Sequence, residues 1–338
     1  MRRKLALLAA VLAAGTALAA CGEKHDVLGA AKPSTQPLRM MLDYFPNADH
    51  VGLYEALANG DFTKAGLDVH VQIPTNPATP LQLLAAGKVD VAISYEPELL
   101  LARAQGQPLA AIGAIVQRPL TSIVSLGSRR ITSAAQLRGK TVGTAGIPYQ
   151  HAYLSTILQR AGVPAGSVKE VNVGENLVPA MLSGRVAATL GAYWNYEAIQ
   201  LQQLGRRTNV IHVENAGVPN YDELVLVVRE SMIANRNNVL RRFVQALARG
   251  YEAVRTNPQA GVNALIAANP SLARKLQLAS VRATLSSFFP ANPSLPWGWQ
   301  DSKQWTAYGE WMLAHHLISS PAAVLDASTN QLLAGQGP

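Results

Sequence analysis

The sequence predicts an α/β protein of two lobes, with mainly parallel sheets and a helical C-terminal tail. Three observations carry this expectation. From 38 to 229, short apolar runs alternate with amphipathic stretches, and Gly and Pro punctuate the joins; strands joined by helices produce this pattern. The chain has 338 residues, too many for one ordinary core. After Glu230 the alternation stops, and only helical periodicity remains.

The elements follow in order. The apolar run Leu38 to Leu42 reads as the first strand, and Val51, Leu53, Tyr54 and Leu57 give the helical spacing of a helix over 50–59. Further strands are expected at 67–73, 89–94, 109–116, 141–144, 168–173, 187–191, 210–213 and 224–228. Helices are expected at 79–86, 97–105, 150–161, 177–183 and 195–204, with Pro97 at a first-turn position where its fixed φ suits a helix start. Leu240, Phe243, Val244, Leu247, Tyr251 and Val254 mark one face of a long helix over 238–256. Helices at 258–268, 272–287 and 300–317 complete a tail that packs on an α/β lobe. Two extended runs, 120–126 and 221–228, read as crossings between lobes. They make 123–223 an inserted second lobe and leave the first discontinuous, 38–122 plus 224–338. Two crossings form a hinge on which lobes can close.

The N-terminus reads as a secretory signal peptide over 1–20. Arg2, Arg3 and Lys4 precede an apolar run from Leu5 to Ala14, then Leu18-Ala19-Ala20-Cys21. The run is short for a bilayer span. Cys21 is the only cysteine, so no intramolecular disulfide can form. Its position resembles the bacterial lipobox, which implies lipidation at Cys21, a flexible tether over 21–37, and an extracytoplasmic domain anchored to the cell membrane. The formal net charge is +8, and removing the three signal cations leaves +5. No basic block or nucleic-acid motif accompanies that charge, so no nucleic-acid partner is expected. A monomer is expected.

Chemistry gathers beyond the strand ends, where α/β proteins hold ligands. The first strand delivers Asp43, Tyr44, Asn47 and His50, and the third Ser94, Tyr95 and Glu96. Tyr149 follows 141–144, and Tyr193, Trp194, Asn195, Tyr196 and Glu197 follow 187–191. The second crossing carries Tyr221, Asp222 and Glu223. Aromatic residues are only 6% of the chain, so their concentration there needs a reason. Rings and carboxylates suit a flat ligand bearing N–H donors: rings stack on its faces and carboxylates accept from its amines. Each residue also has a structural reading. Asp43 and Asp49 can cap the next helix, Tyr54 fits the core stripe, Glu96 can start a helix, and His50 can be a packed histidine. Glu223 can be solvated at an edge strand. Tyr193 and Tyr196 are not expected to share one pocket, so one of them is structural.

Leu42-Asp43-Tyr44-Phe45-Pro46-Asn47-Ala48-Asp49-His50-Val51-Gly52-Leu53-Tyr54 resembles the opening of bacterial thiamine-precursor-binding proteins and the hydroxymethylpyrimidine-synthase-like family. Matches continue at Gly60-Asp61-Phe62, Gly87-Lys88-Val89-Asp90, Gly174-Glu175-Asn176-Leu177, Ser183-Gly184-Arg185-Val186, Gly191-Ala192-Tyr193-Trp194-Asn195-Tyr196-Glu197 and Pro219-Asn220-Tyr221-Asp222-Glu223. The resemblance implies a type II periplasmic-binding-protein fold. It also implies capture of formylaminopyrimidine or hydroxymethylpyrimidine for an ABC permease and its ATPase. It points to Asp43, Asn47, Ser94, Tyr95, Glu96, Asn195, Glu197 and Tyr221 as pocket residues, with Tyr44 where the family has tryptophan. Riboflavin, another flat heterocycle carried by relatives, is the alternative ligand. Sulfonates fit less well, because no Arg or Lys cluster joins the candidates.

Part of the resembling family makes the pyrimidine with a lysine, a consumed histidine and a cysteine-rich stretch. Those positions fall on Ser94 and Glu98 here, and no cysteine lies beyond Cys21. Schiff-base chemistry needs an amine, so no enzyme and no cofactor are expected. Nor is a metal site, since the adjacent His315 and His316 cannot share a helix face.

Overall fold

The computed structural model describes residues 35–76 and 79–336. Cys21, the signal peptide and most of the expected tether lie outside the described residues. The chain opens with β1 (Gln36–Met41), a 3-10 turn over Ala48–His50, α1 (Val51–Ala58) and the short α2 (Asp61–Lys64). Next come β2 (Leu67–Gln72), α3 (Thr79–Ala85), β3 (Val91–Ser94), α4 (Glu96–Ala104) and β4 (Leu109–Val116). A second group follows: β5 (Thr121–Leu126), β6 (Thr141–Thr144), α5 (Pro148–Arg160), β7 (Lys169–Asn172), α6 (Leu177–Leu182), β8 (Ala188–Tyr193), α7 (Glu197–Gln203) and β9 (Thr208–His212). β10 (Leu224–Arg229) returns, and α8 (Glu230–Asn235), α9 (Asn237–Thr256), α10 (Pro258–Ala268), α11 (Arg274–Thr284) and α12 (Ser302–Ala314) end the fold.

The strands form two five-stranded sheets, ordered β2-β1-β3-β10-β4 and β7-β6-β8-β5-β9. Mainly parallel sheets were expected, but both are mixed. β1 pairs parallel with β2 and β3, whereas β10 runs antiparallel between β3 and β4. β6 pairs parallel with β7 and β8, whereas β5 runs antiparallel between β8 and β9. β5 and β10 are the strands entered directly after a passage between sheets, and each threads its new sheet against the βαβ direction. The passages themselves are irregular, at 117–120 and 213–223. The extended runs expected to cross therefore each sit inside a single sheet.

Burial explains where the helices lie. The apolar stripe of α9 covers the first sheet together with α1, and the contact is close enough to demand glycine. A β-carbon on Gly250 would stand 2.1 Å from the Gly52 carbonyl oxygen, so the two backbones touch. Phe62 and Phe243 stack beneath them at 5.4 Å.

The tail does not pack on one lobe alone. From α11, Thr284 accepts the Asn195 amide at 2.7 Å and Gln277 donates to the Tyr196 hydroxyl at 3.0 Å. From α12, Tyr308 bonds Tyr153 at 2.7 Å, and Trp305 donates its indole N–H to Asp222 at 2.9 Å. His315, just beyond, bonds Thr156 at 3.1 Å. Val281 of α11 joins the apolar core of the first sheet, and Trp305, Tyr308 and Met312 of α12 join a cluster that holds Ala92 and Ala111 of that sheet together with Ala188 and Leu190 of the other. Among the described residues, no helix is long and apolar enough to cross a membrane.

Candidate functional site

Between the two sheets lies a cleft of about 300 Å³. Its first wall is the segment after β1, with Asp43, Tyr44, Phe45, Asn47 and Asp49, joined by Tyr95 at the end of β3. Its second wall comes from the ends of β6, β7 and β8: Tyr149 and Gln150, Glu175 and Leu177, then Tyr193, Tyr196 and Glu197. Among the described residues, no Lys or Arg lines it.

The first wall is built around Asp43. Its Oδ1 lies 2.8 Å from His50 Nε2, and its Oδ2 accepts the Tyr95 hydroxyl at 2.7 Å. His50 Nδ1 accepts the Asn47 backbone N–H at 3.2 Å. A nitrogen that accepts carries no proton, so the His50 proton sits on Nε2 and points at Asp43. Burial alone pushes Asp43 up, but the bonds from His50 and Tyr95 outweigh it and hold the carboxyl below its ordinary value. Asn47 caps the turn: its Oδ1 accepts the Asp49 N–H at 2.8 Å, and its Nδ2 donates to the Phe45 carbonyl at 3.1 Å.

Asp49 is set differently. Its Oδ1 accepts the Asn195 amide at 2.8 Å, a bond that runs from one wall to the other. Burial first, then the charges of Asp43 and Glu197, push this carboxyl well above its ordinary value.

On the second wall, Glu197 opens α7, and its Oε2 accepts the Tyr193 N–H at 2.7 Å. Burial raises it to about 7, against a partial offset from backbone N–H groups. The backbone there requires glycine: Gly191 has φ +107°, and a β-carbon on it would stand 2.4 Å from the Gln150 amide nitrogen. Gln150 in turn accepts the Ala145 N–H at 2.8 Å, which fixes the loop after β6. At the mouth, the Phe45 ring meets the edge of Tyr196 at 6.3 Å. Tyr44, packed on Phe45 at 4.4 Å, is raised by burial and by the facing charges of Glu175 and Glu197.

Of the residues expected at a site, the structure brings Asp43, Tyr44, Asn47, Tyr95, Tyr149 and Glu197 to the cleft. Six others lie outside its lining, each for a traceable reason. His50 stands behind Asp43 as its donor. Asn195 stands behind Asp49, tied to Thr284. Ser94 turns away and donates to Glu98 at 2.9 Å. Glu96 accepts the Asp222 N–H at 2.7 Å beneath the second passage. Trp194 donates to the Pro119 carbonyl at 3.0 Å, with the Arg118 guanidinium 5.4 Å over its ring. Tyr221 is buried against Tyr153 and Tyr308 and donates to Glu223 at 3.0 Å. Glu223 is no solvated edge residue. It accepts from Leu120 N, Thr121 N and the hydroxyls of Thr121, Tyr193 and Tyr221, so one carboxylate fastens both passages between the sheets.

Tyr193 and Tyr196 both line the cleft, against expectation, because the chain reverses between the end of β8 and the start of α7. Phe45, Gln150 and Glu175 were not singled out from the sequence. Glu175 lies in the Gly174-Glu175-Asn176-Leu177 match, whereas nothing local marks Gln150. Tyr54 faces the core.

A lysine-bound cofactor does not fit. Ser94 and Glu98 close on each other by a hydrogen bond, Ser94 is buried, and the cleft wall offers no amine. Burial raises Glu98 to about 8. Among the described residues, no group of three His, Cys, Asp or Glu could hold a metal ion.

Comparison with known proteins agrees with this architecture. The profile of the family described as NMT1/THI5 like matches residues 47–261. A formylaminopyrimidine-binding protein of Halalkalibacterium halodurans is 36% identical over 296 residues, covering 86% of this chain and 89% of that protein. A putative thiamine biosynthesis protein of Haemophilus influenzae is 34% identical over 70% of this chain and 74% of its own length. The alkanesulfonate-binding protein SsuA of Xanthomonas axonopodis pv. citri, solved with MOPS bound, superposes with a TM-score of 0.67 at 16% identity, covering 89% of this chain and 99% of that one. That likeness concerns the fold, which is the two-lobed α/β fold of periplasmic binding proteins. By sequence, the chain belongs to the NMT1/THI5-like family.

Proposed function

We propose that this protein is an extracytoplasmic solute-binding lipoprotein that captures an aminopyrimidine precursor of thiamine and hands it to an ABC importer. The observation that carries the reading is the cleft wall: rings on both sides, carboxyls at Asp43, Asp49 and Glu197, and no cation among them. An exocyclic amine beside ring nitrogens is the chemistry such a wall accepts. Tyr44, Tyr149, Tyr193 and Tyr196 supply ring faces, and Glu197 meets the amine. A cavity at the small end of the ligand-site range suits one aromatic ring better than the three of a flavin. The relative named for formylaminopyrimidine supports the same ligand class.

Capture is a matter of two walls closing on one ligand. A ligand touching both walls favours the closed arrangement by its extra contacts there. Closure also dries the site and strengthens its hydrogen bonds. Binding without turnover is the reading the Ser94–Glu98 pair supports. Lipidation at Cys21 and division of the lobes near 123 and 223 belong to the same proposal.

Titration calorimetry with hydroxymethylpyrimidine and formylaminopyrimidine tests it. Saturable heat with one site is the expected result, with no product formed on long incubation. Neither heat nor a shift in melting temperature at millimolar ligand overturns the ligand assignment, and product formation overturns the binding-only role.

A further inference from the structure

We propose that the end of the second sheet farthest from the cleft is a docking surface for an anionic lipid bilayer. The register of that sheet places the residues. The start of β6 pairs with the start of β7 and of β8, and the starts of β8 and β9 pair with the end of β5. The segments at this end are strongly basic. β5 runs out into Arg129 and Arg130, while Arg206 and Arg207 precede β9. Arg185 precedes β8, Arg138 and Lys140 precede β6, and Lys169 opens β7.

All eight are exposed. Among the described residues, none lies within 4.0 Å of a carboxylate. The loops are drawn together: the Gly127 N–H donates to the Arg207 carbonyl at 2.7 Å, and the Arg129 guanidinium lies beside Gly184, next to Arg185. Cations without an acidic partner occur elsewhere too, Arg160 and Lys303 among them, but here eight converge on the ends of neighbouring strands; of these, Arg138 donates to the Gly162 carbonyl at 3.2 Å.

A second feature selects lipid over a merely acidic protein. α6 and α7 both start at the cleft and end at this pole, where α6 ends in the exposed Leu182 and the exposed Leu204 follows α7 directly. Leu182 is 41% exposed before Ser183-Gly184-Arg185, and Leu204 is 57% exposed before Gly205-Arg206-Arg207. Guanidinium groups ringing protruding apolar side chains match an interface of phosphate headgroups over acyl chains. Near an anionic surface each cation raises binding about fivefold, an effect that fades beyond the screening length. Strands of four to six residues separate this pole from the cleft, so a bilayer contact here holds the cleft about 15–20 Å clear of the headgroups.

Hydrogen–deuterium exchange of the full chain on vesicles tests this. On phosphatidylglycerol vesicles, amides in 127–140, 183–187 and 204–208 are expected to slow at least about fivefold relative to phosphatidylcholine vesicles. The difference should vanish at about 1 M salt, where the screening length is about 3 Å. It should also vanish in a combined variant carrying Arg129→Glu, Arg130→Glu, Arg206→Glu and Arg207→Glu. Those side chains are exposed, and an unchanged melting temperature will show the fold intact. Equal exchange on both lipids overturns the proposal. So does protection that appears only when a permease is added, which would assign the pole to a protein partner.

Discussion

The two walls of the cleft treat a carboxyl group in opposite ways. Asp43 on the first wall has both oxygens engaged, by His50 and Tyr95, and is held below its ordinary value. Glu197 on the second wall has only backbone donors and is raised to about 7. Burial is common to both, so the difference comes from side-chain donors. A carboxylate with both oxygens already accepting strong bonds gains less from a ligand than one that lacks side-chain donors. Under the proposed function, Asp43 shapes its wall and Glu197 is the carboxyl that meets the ligand.

The largest effect that would break this contrast is on stability. Asp43→Ala leaves the His50 Nε2–H and the Tyr95 hydroxyl buried without an acceptor, which should cost about 3 kcal/mol. Urea unfolding measures it, and a loss no larger than that of an ordinary surface substitution would remove Asp43 from its structural role. Glu197→Gln should do the reverse. Stability should hold, while affinity for an amine-bearing pyrimidine falls about tenfold to a hundredfold, the worth of one charge-assisted bond; unchanged affinity by calorimetry takes Glu197 out of the site.

A third effect is the pH response of the ligand-free protein. Glu98, Glu197 and Asp222 are raised to about 8, 7 and 7 by burial. The folded state then keeps protons that the unfolded chain releases above the ordinary carboxylate range. Their stabilising contribution is full at low pH and is lost as pH rises through the folded values. Melting temperature should fall from about pH 5 to about pH 8, and Glu197→Gln should flatten the curve. Asp43 has the opposite sign and acts only below its ordinary value of 3.8. A melting temperature that rises over that window contradicts the assignment.

Much of the architecture was legible because apolar runs and turn residues carry period and length. The segment from Leu42 to Tyr54 was readable as strand, polar turn and helix, and it became the first wall. Strand direction was not, because β5 and β10 take their sense from where the chain re-enters a sheet. The site was readable as a neighbourhood and less so residue by residue. Tyr221, Trp194 and Asn195 stand in the right stretches, yet their side chains are claimed by Tyr308, Pro119 and Thr284, partners far away in sequence. Gln150 lines the cleft through its contact with Gly191, and nothing in its own neighbourhood announces that. Side-chain direction at a cleft is decided by what arrives on the other side.

The helices at the end of the chain have a consequence for the order in which the molecule can be assembled. Residues 121–223 leave the ribosome long before Trp305 and Tyr308, yet the carboxyl of Asp222 and the rings of Tyr153 and Tyr221 wait for those two side chains. Asn195 likewise waits for Thr284. Those contacts close only after the C-terminal helices have emerged, and a nascent chain stopped near residue 300 would still lack the ones that Trp305 and Tyr308 make.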